Sequence, residues 1–215
     1  MLTLYGYPLS SAAYRVRIAL ALKGVKVSTV NKQLRRGEHR QKDFLKINPQ
    51  GCVPVLVLED GTVLTQSLAI IEWLEESYPL PALLPADANA RARVRSLSQL
   101  IACDIHPLNN LRVLQYLESI VNVAQAGRDE WYRHWVATGF AALEDALGRD
   151  AARGRFCFGD QPGMADVCLV PQLYNARRYS VDLTPYPRIV AIDAACGELP
   201  AFASAAPEKQ VKGES

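Results

Sequence analysis

The chain predicts a small α/β domain followed by an all-α domain, and three observations predict it. Residues 2–78 alternate strand-like and helix-like apolar runs in the order β-α-β-α-β-β-α. Asp60-Gly61 separates two short β-branched runs, the pattern of a hairpin turn. From residue 79 a proline-rich stretch interrupts this texture, and helical spacing continues almost to the end.

Each element has a local reason. LTLYGY is a short β-type run, and a helix follows from about Ser11 to Lys23, closed by Gly24. VKVSTVNK reads as a second strand, and EHRQKDFLKIN as a short polar helix or loop. VPVLVLEDGTVLTQ is two strands joined at Asp60-Gly61. SLAIIEWLEESY sets Leu68, Ile70, Ile71 and Leu74 at the spacing of one buried helical face. PLPALLPADANA reads as a linker. Further helices are expected near 88–120, 129–148, 164–178 and 187–197, with Pro107 kinking or dividing the first. The expected organisation is a domain over 1–79, a linker over 80–87, a helical domain over 88–206 and a disordered tail over 207–215, where APEKQVKGES has little to bury.

Composition narrows the function classes. With 49% hydrophobic and 21% charged residues, 215 residues can bury a sizeable core. A net charge of +2 argues against a nucleic-acid footprint. No apolar run approaches a membrane span, and the N-terminus lacks a signal-peptide layout. Cysteines 52, 103, 157, 168 and 196 form no C-x-x-C and no metal-like pairing with the three histidines. That usage fits a cytoplasmic protein with structural thiols, no metal site and no redox pair.

Ser10 and Ser11 open the first helix, with no His or Asp beside them. One reading is capping, since a serine before an apolar-periodic run accepts orphan backbone N–H groups. Another is that an anion or thiolate docks there, because helix N-termini stabilise negative charge. Local sequence leaves both open.

The β-α-β-α-β-β-α order resembles a thioredoxin-like domain, and the helical extension makes the whole resemble a glutathione transferase. SSAAYRVRIALALKG is similar to the zeta-class signature S-S-C-S-W-R-V-R-I-A-L-A-L-K-G. NPQGCVPVL, TQSLAIIEWLEE, PALLPAD, HPLNNLRVL, GMADVCLVPQ and VDLTPYP fit the same class in the same order, over about residues 2–200. The class includes maleylacetoacetate isomerase and the bacterial maleylpyruvate isomerases, and CDIHPLNN and IDAACGEL look closer to the latter.

The resemblance implies glutathione as the cofactor, a small electrophilic or dicarboxylic substrate and a homodimer. It sets the glutathione sulfur beside Ser10, with a lesser part for Ser11. The magnitudes suffice without a general base. Lowering a thiol pKa by two units needs about 2.7 kcal/mol. A hydroxyl donating to a charged acceptor supplies roughly 1.5–3 kcal/mol, and a helix terminus roughly 0.3–2 more. Val53, before Pro54, is implied to pair its backbone with the cysteinyl part of glutathione, although a proline starting a strand also explains Val53-Pro54. Gln66 and Ser67 are implied to receive the γ-glutamyl carboxylate, a role compatible with capping. His39 is set near the glycyl end, and His106, with Asn110, at the helical wall. Asp104 is implied to reach the γ-glutamyl ammonium from a neighbouring subunit; helix-surface solvation accounts for it as well. Arg178 and Arg112 are the arginines left to bind substrate carboxylates. Tyr5 and Tyr7 read as packed strand aromatics rather than catalytic hydroxyls.

The implied reaction is reversible addition of the glutathione thiolate to an activated cis double bond, with rotation before it leaves. Conjugation or dehalogenation of small electrophiles, and a non-catalytic ligand-binding role, are the alternatives. Three departures bear on them. Ala12 replaces the signature cysteine, Leu9 stands where the class has an arginine, and Leu111 replaces a further arginine of the maleylpyruvate isomerases. Gly163 also stands where Ser or Thr usually caps a helix three residues before Asp166.

Overall fold

Strands β1 (Thr3–Gly6), β2 (Ser28–Asn31), β3 (Val55–Val57) and β4 (Val63–Thr65) form one sheet in the order β2-β1-β3-β4. β1 and β2 are parallel, while β3 runs antiparallel to both β1 and β4. The period of two along β1 sends successive side chains to opposite faces. Gly6 faces Ala13 of helix α1 (Ser11–Leu22), whereas Tyr5 packs against Phe44 of α2 (Lys42–Ile47) with ring centroids 6.0 Å apart. Tyr5 and Tyr7 belong to the cluster around buried Phe44, Val53 and Val55, so they are packed aromatics as expected. The β3–β4 connection turns at Asp60-Gly61, where Gly61 takes φ 86° and the Asp60 carboxylate accepts the Thr62 N–H at 2.9 Å.

The computed structural model describes residues 1–210, in two compact units. The first is Met1–Leu83 together with the chain from Leu199, and the second is Leu84–Glu198. In the first unit, α1 packs on α3 (Ser67–Ser77), which opens directly after β4. Lys23, at the end of α1, donates to a Glu75 carboxylate oxygen at 2.5 Å and to the Pro81 carbonyl at 2.7 Å. The same Glu75 oxygen accepts the Leu83 N–H at 2.9 Å. A buried ion pair thereby ties down the start of the proline-rich segment, at Pro81 and Leu83.

The second unit contains α4 (Ala88–Gln99), α5 (Leu111–Ser119), α6 (Gln125–Arg149), α7 (Met164–Arg178) and α8 (Pro187–Gly197). The helix expected over 88–120 is divided: Leu100–Ile105 is a π-helical stretch and His106–Asn109 a 3₁₀ turn containing Pro107. Pro107 cannot continue the i→i−4 ladder, and Asn110 caps a fresh helix by accepting the Arg112 N–H at 3.2 Å. Helix α7 is buried along most of its length and packs on α4 and α8. Its N-terminus has a glycine at the cap, so Asp166 supplies the acceptors. Asp166 Oδ2 takes the Gly163 N–H at 2.8 Å and Oδ1 the Cys157 N–H at 2.9 Å.

The expected C-terminal boundary is corrected. Helix α9 (Pro200–Ala205) leaves the helical unit and packs on α1, burying Phe202 and Ala205. A final turn, α10 (Pro207–Gln210), is helical with Pro207 buried, so the tail expected from 207 is ordered at its start; residues 211–215 lie outside the described ones. Local spacing does not place α9, because α1, the helix it packs on, lies at the other end of the chain. Among the described residues no helix is long and apolar enough to cross a membrane.

Candidate active site

The sheet register collects the first-unit candidates. Tyr5 of β1 pairs with Val55 of β3, and Val55 pairs with Thr65 of β4. The exit of β1, the entry of β3 and the exit of β4 therefore share one end of the sheet. Ser10, Val53 and Gln66-Ser67 follow or precede those three points by a few residues, so antiparallel pairing brings together positions far apart in sequence.

Ser10 is the N-cap of α1, with extended backbone, and its Oγ accepts the Ala13 N–H at 3.2 Å. A hydroxyl that accepts there still has its proton to donate. Ser11 is buried as the first helical residue. Val53 is buried next to a cis peptide bond to Pro54. The loop before it is shaped by Asn48, whose amide donates to the Cys52 carbonyl at 2.8 Å and accepts the Gln50 N–H at 3.1 Å. Gly51 has φ 59°, and a Cβ there would come within 3.0 Å of the His39 carbonyl oxygen. That close approach sets the His39 segment against the loop that leads to Val53.

His39 is buried, and its Nδ1 has no hydrogen-bond partner among the described residues. Burial, reinforced by the Arg40 charge, holds the imidazole below its ordinary pKa, so the ring is neutral near pH 7. Gln66 occupies φ 67°, a conformation uncommon for a residue with a side chain, and its amide donates to Gln50 Oε1 at 2.9 Å. The strained cap directs Ser67 into the start of α3. Ser67 Oγ accepts from Arg15 Nη1 at 3.3 Å, which leaves the hydroxyl proton and the helix terminus as donors.

The remaining candidates belong to the second unit. Asp104 is exposed on the π-helical stretch. His106 opens the 3₁₀ turn, and its Nε2 lies 3.5 Å from Asn110 Nδ2, so these two are neighbours. Arg112 is exposed on α5. Arg178 is exposed at the end of α7, where Nη1 donates to Asn175 Oδ1 at 3.2 Å and the guanidinium lies 6.0 Å over the Tyr174 ring. Beside it the Tyr132 and Tyr179 rings stack at 3.6 Å, and burial followed by Tyr179 pushes the Tyr132 hydroxyl well above its ordinary pKa. Leu9 and Leu111 are half-buried, and neither can donate to a carboxylate.

Sequence reasoning missed Arg15 and Gln50, which hold Ser67 and Gln66. The run YRVRIAL holds two arginines and does not single out Arg15; the structure does, by placing it at 1% exposure. Buried charges are rare unless they hold something.

Known proteins share this fold. Residues 9–77 match the glutathione S-transferase N-terminal domain, and residues 127–194 match the C-terminal domain. A maleylpyruvate isomerase of Ralstonia sp is 52% identical over 208 residues, spanning 96% of this chain and 97% of that protein. The holo structure of a maleylpyruvate isomerase, a bacterial zeta-class glutathione S-transferase, superposes with a TM-score of 0.95 at 50% identity, covering 99% of this chain and 100% of the other. A maleylacetoacetate isomerase of Methylobacterium extorquens AM1, solved with malonate and glutathione, superposes with a TM-score of 0.96 at 41% identity and the same coverage. Motifs, sheet register and full-length likeness agree: the chain belongs to the glutathione transferase family, in its zeta class.

Proposed function

We propose that this protein is a glutathione-dependent cis–trans isomerase acting on maleylacetoacetate or maleylpyruvate. The observation that carries the reading is the gathering of Ser10, His39, Val53 and Gln66-Ser67 at one end of the sheet. A chain alike over its whole length to maleylpyruvate isomerase supports it.

Glutathione fits the donors that this end offers. Two helix N-termini, the Ser67 hydroxyl and the buried His39 imidazole suit an anionic tripeptide with two carboxylates, and the chain before β3 offers a backbone edge. Bound glutathione supplies a thiolate that adds reversibly to the activated cis double bond. Ser10 donates to the sulfur, with Ser11 buried behind it supporting the turn. Ser67, Gln66 and the start of α3 hold the γ-glutamyl end, and His39 the glycyl end. His106 and Asn110 form the helical wall, and Arg178 and Arg112 bind substrate carboxylates. In a homodimer, exposed Asp104 would reach the ammonium group of glutathione on the neighbouring subunit. A cytoplasmic setting is consistent with five free cysteines.

Direct assay of both maleyl substrates with and without glutathione tests the reading. Isomerisation should require glutathione and leave its concentration unchanged. Conjugation of a halogenated aromatic with no isomerisation would overturn it.

Ser67→Ala removes one donor to a charged carboxylate and should weaken glutathione binding by about 1–3 kcal/mol. Calorimetry that finds equal affinity would count against that placement.

A second reading, conjugation of uncharged electrophiles, is favoured by one observation: Leu9 and Leu111 stand where arginines would grip a dicarboxylate. Leu9→Arg should raise kcat/KM for a maleyl substrate, tenfold for about each 1.4 kcal/mol recovered, and not for a halogenated aromatic. A folded Leu9→Arg enzyme with both rates unchanged means that this position does not meet the carboxylate.

A further inference from the structure

The turn that presents Ser10 is held by an arginine that no part of the reaction uses. Arg17 lies on α1, half-buried, and its hydrogen bonds all go to main-chain carbonyls. Its Nη2 donates to the Pro8 carbonyl at 3.0 Å and its Nη1 to the Tyr7 carbonyl at 3.4 Å. The Tyr7 carbonyl also accepts the Ser10 N–H at 3.0 Å, which closes the turn from β1 into α1. On its other edge, Arg17 Nε donates to the Ala205 carbonyl at 3.0 Å, at the end of α9. Its guanidinium lies 5.1 Å over the Tyr14 ring.

This geometry suits one side chain type. Guanidinium is planar, with donors in a fixed fork, so three carbonyls bound to it keep a fixed mutual position. An ammonium carries its three donors on one rotating nitrogen at the end of a flexible stem, so it fixes the carbonyls' mutual position less well. Burial pulls the Arg17 pKa down to about 10, so the group stays charged at neutral pH. A cation half-buried among carbonyls, and stapling helix α9 to a turn before the candidate serine, is an arrangement with a local target.

We propose that Arg17 is a positioning residue for Ser10: by holding the Tyr7, Pro8 and Ala205 carbonyls it sets where the Ser10 hydroxyl points, and it makes that setting depend on the C-terminal helix α9. This rests on the reading of Ser10 as the hydroxyl that faces the glutathione sulfur.

The test titrates the thiolate absorbance of enzyme-bound glutathione and measures kcat and KM for Arg17→Met, Arg17→Lys and Phe202→Ala. Ser10→Ala is made in the parent and in Arg17→Met. Arg17→Met should raise the thiol pKa by about one unit and lower kcat about tenfold, with KM for glutathione within about twofold. Arg17→Lys should recover part of the shift. Phe202→Ala, which loosens α9 and leaves the Arg17 side chain in the protein, should shift the pKa in the same direction. The double variant should match Ser10→Ala alone, because Arg17 has nothing left to position once that hydroxyl is gone. A folded Arg17→Met enzyme with the parental thiol pKa, beside a Ser10→Ala enzyme whose pKa is raised, overturns the role of Arg17 and leaves that of Ser10 standing. If Ser10→Ala leaves the titration unmoved, the reading of Ser10 fails and the role of Arg17 goes with it. Should Arg17→Met not fold, Arg17→Lys and Phe202→Ala decide by the same readout, and unshifted pKa values in both overturn the proposal.

Discussion

Ser10→Ala should raise the pKa of bound glutathione by one to two units and lower turnover at neutral pH by about ten- to a hundredfold. The Ser10 Oγ already accepts the Ala13 N–H, so its proton is the part available to a sulfur. A hydrogen bond to a charged acceptor is worth roughly 1.5–3 kcal/mol, and about 1.4 kcal/mol corresponds to one unit. The start of α1 remains in the mutant and keeps its smaller share. The direction follows directly: a higher thiol pKa means less thiolate at a given pH, so the acidic limb of the rate profile moves to higher pH. Glutathione affinity should change little, because Ser67, Gln66 and the Val53 backbone carry the peptide frame. Losing the cap also costs about 1 kcal/mol of stability, which a melting curve separates from the catalytic effect. An identical thiolate titration in mutant and parent removes Ser10 from this role.

Asp166→Ala should destabilise the fold by about 3–5 kcal/mol, a large part of a stability of about 5–15. Asp166 is 1% exposed and accepts two N–H groups, from Cys157 and Gly163. With glycine at the cap position no side chain there can substitute, so both donors lose their acceptor inside the protein. Asp166→Asn retains one acceptor oxygen and should cost less. Burial holds the Asp166 carboxyl above its ordinary pKa, with the two backbone donors opposing that shift. A raised folded pKa means the folded state binds the proton more tightly than the unfolded state. Ionisation therefore subtracts from stability as pH rises from the unfolded value towards the folded one. Asn has no such ionisation, so its cost relative to the parent should shrink over that window. Urea denaturation of the three proteins across pH checks both statements. An Asp166→Ala midpoint equal to the parent's would show that other groups cap this helix.

Much of the first unit was legible in the sequence because its signals are short-range. Gly24 stops α1 with φ 66°, Asp60-Gly61 turns the hairpin, and the periodicity of Leu68, Ile70, Ile71 and Leu74 marks α3. Helices α7 and α8 fall where apolar spacing and Pro187 set them. Ser10 was visible as a cap, whereas Gln66 holds the cap position before Ser67, and resemblance supplied a possible use for both serines.

What the sequence determined by itself, then, was the set of elements and the residue types at their ends, since propensity, capping and turn chemistry act within a few residues. Only the tertiary structure decided which ends meet. The antiparallel register of β1, β3 and β4 brings Ser10, Val53 and Ser67 to one end of the sheet, and no local rule contains that register. The hydrogen bonds of Arg15 to Ser67 and of Arg17 to Ala205 reach 52 and 188 residues along the chain, so neither arginine announces its partner. The same separation hid the fate of the C-terminus. Residues 200–205 read as part of the helical domain, whereas α1 supplies the surface that Phe202 and Ala205 bury.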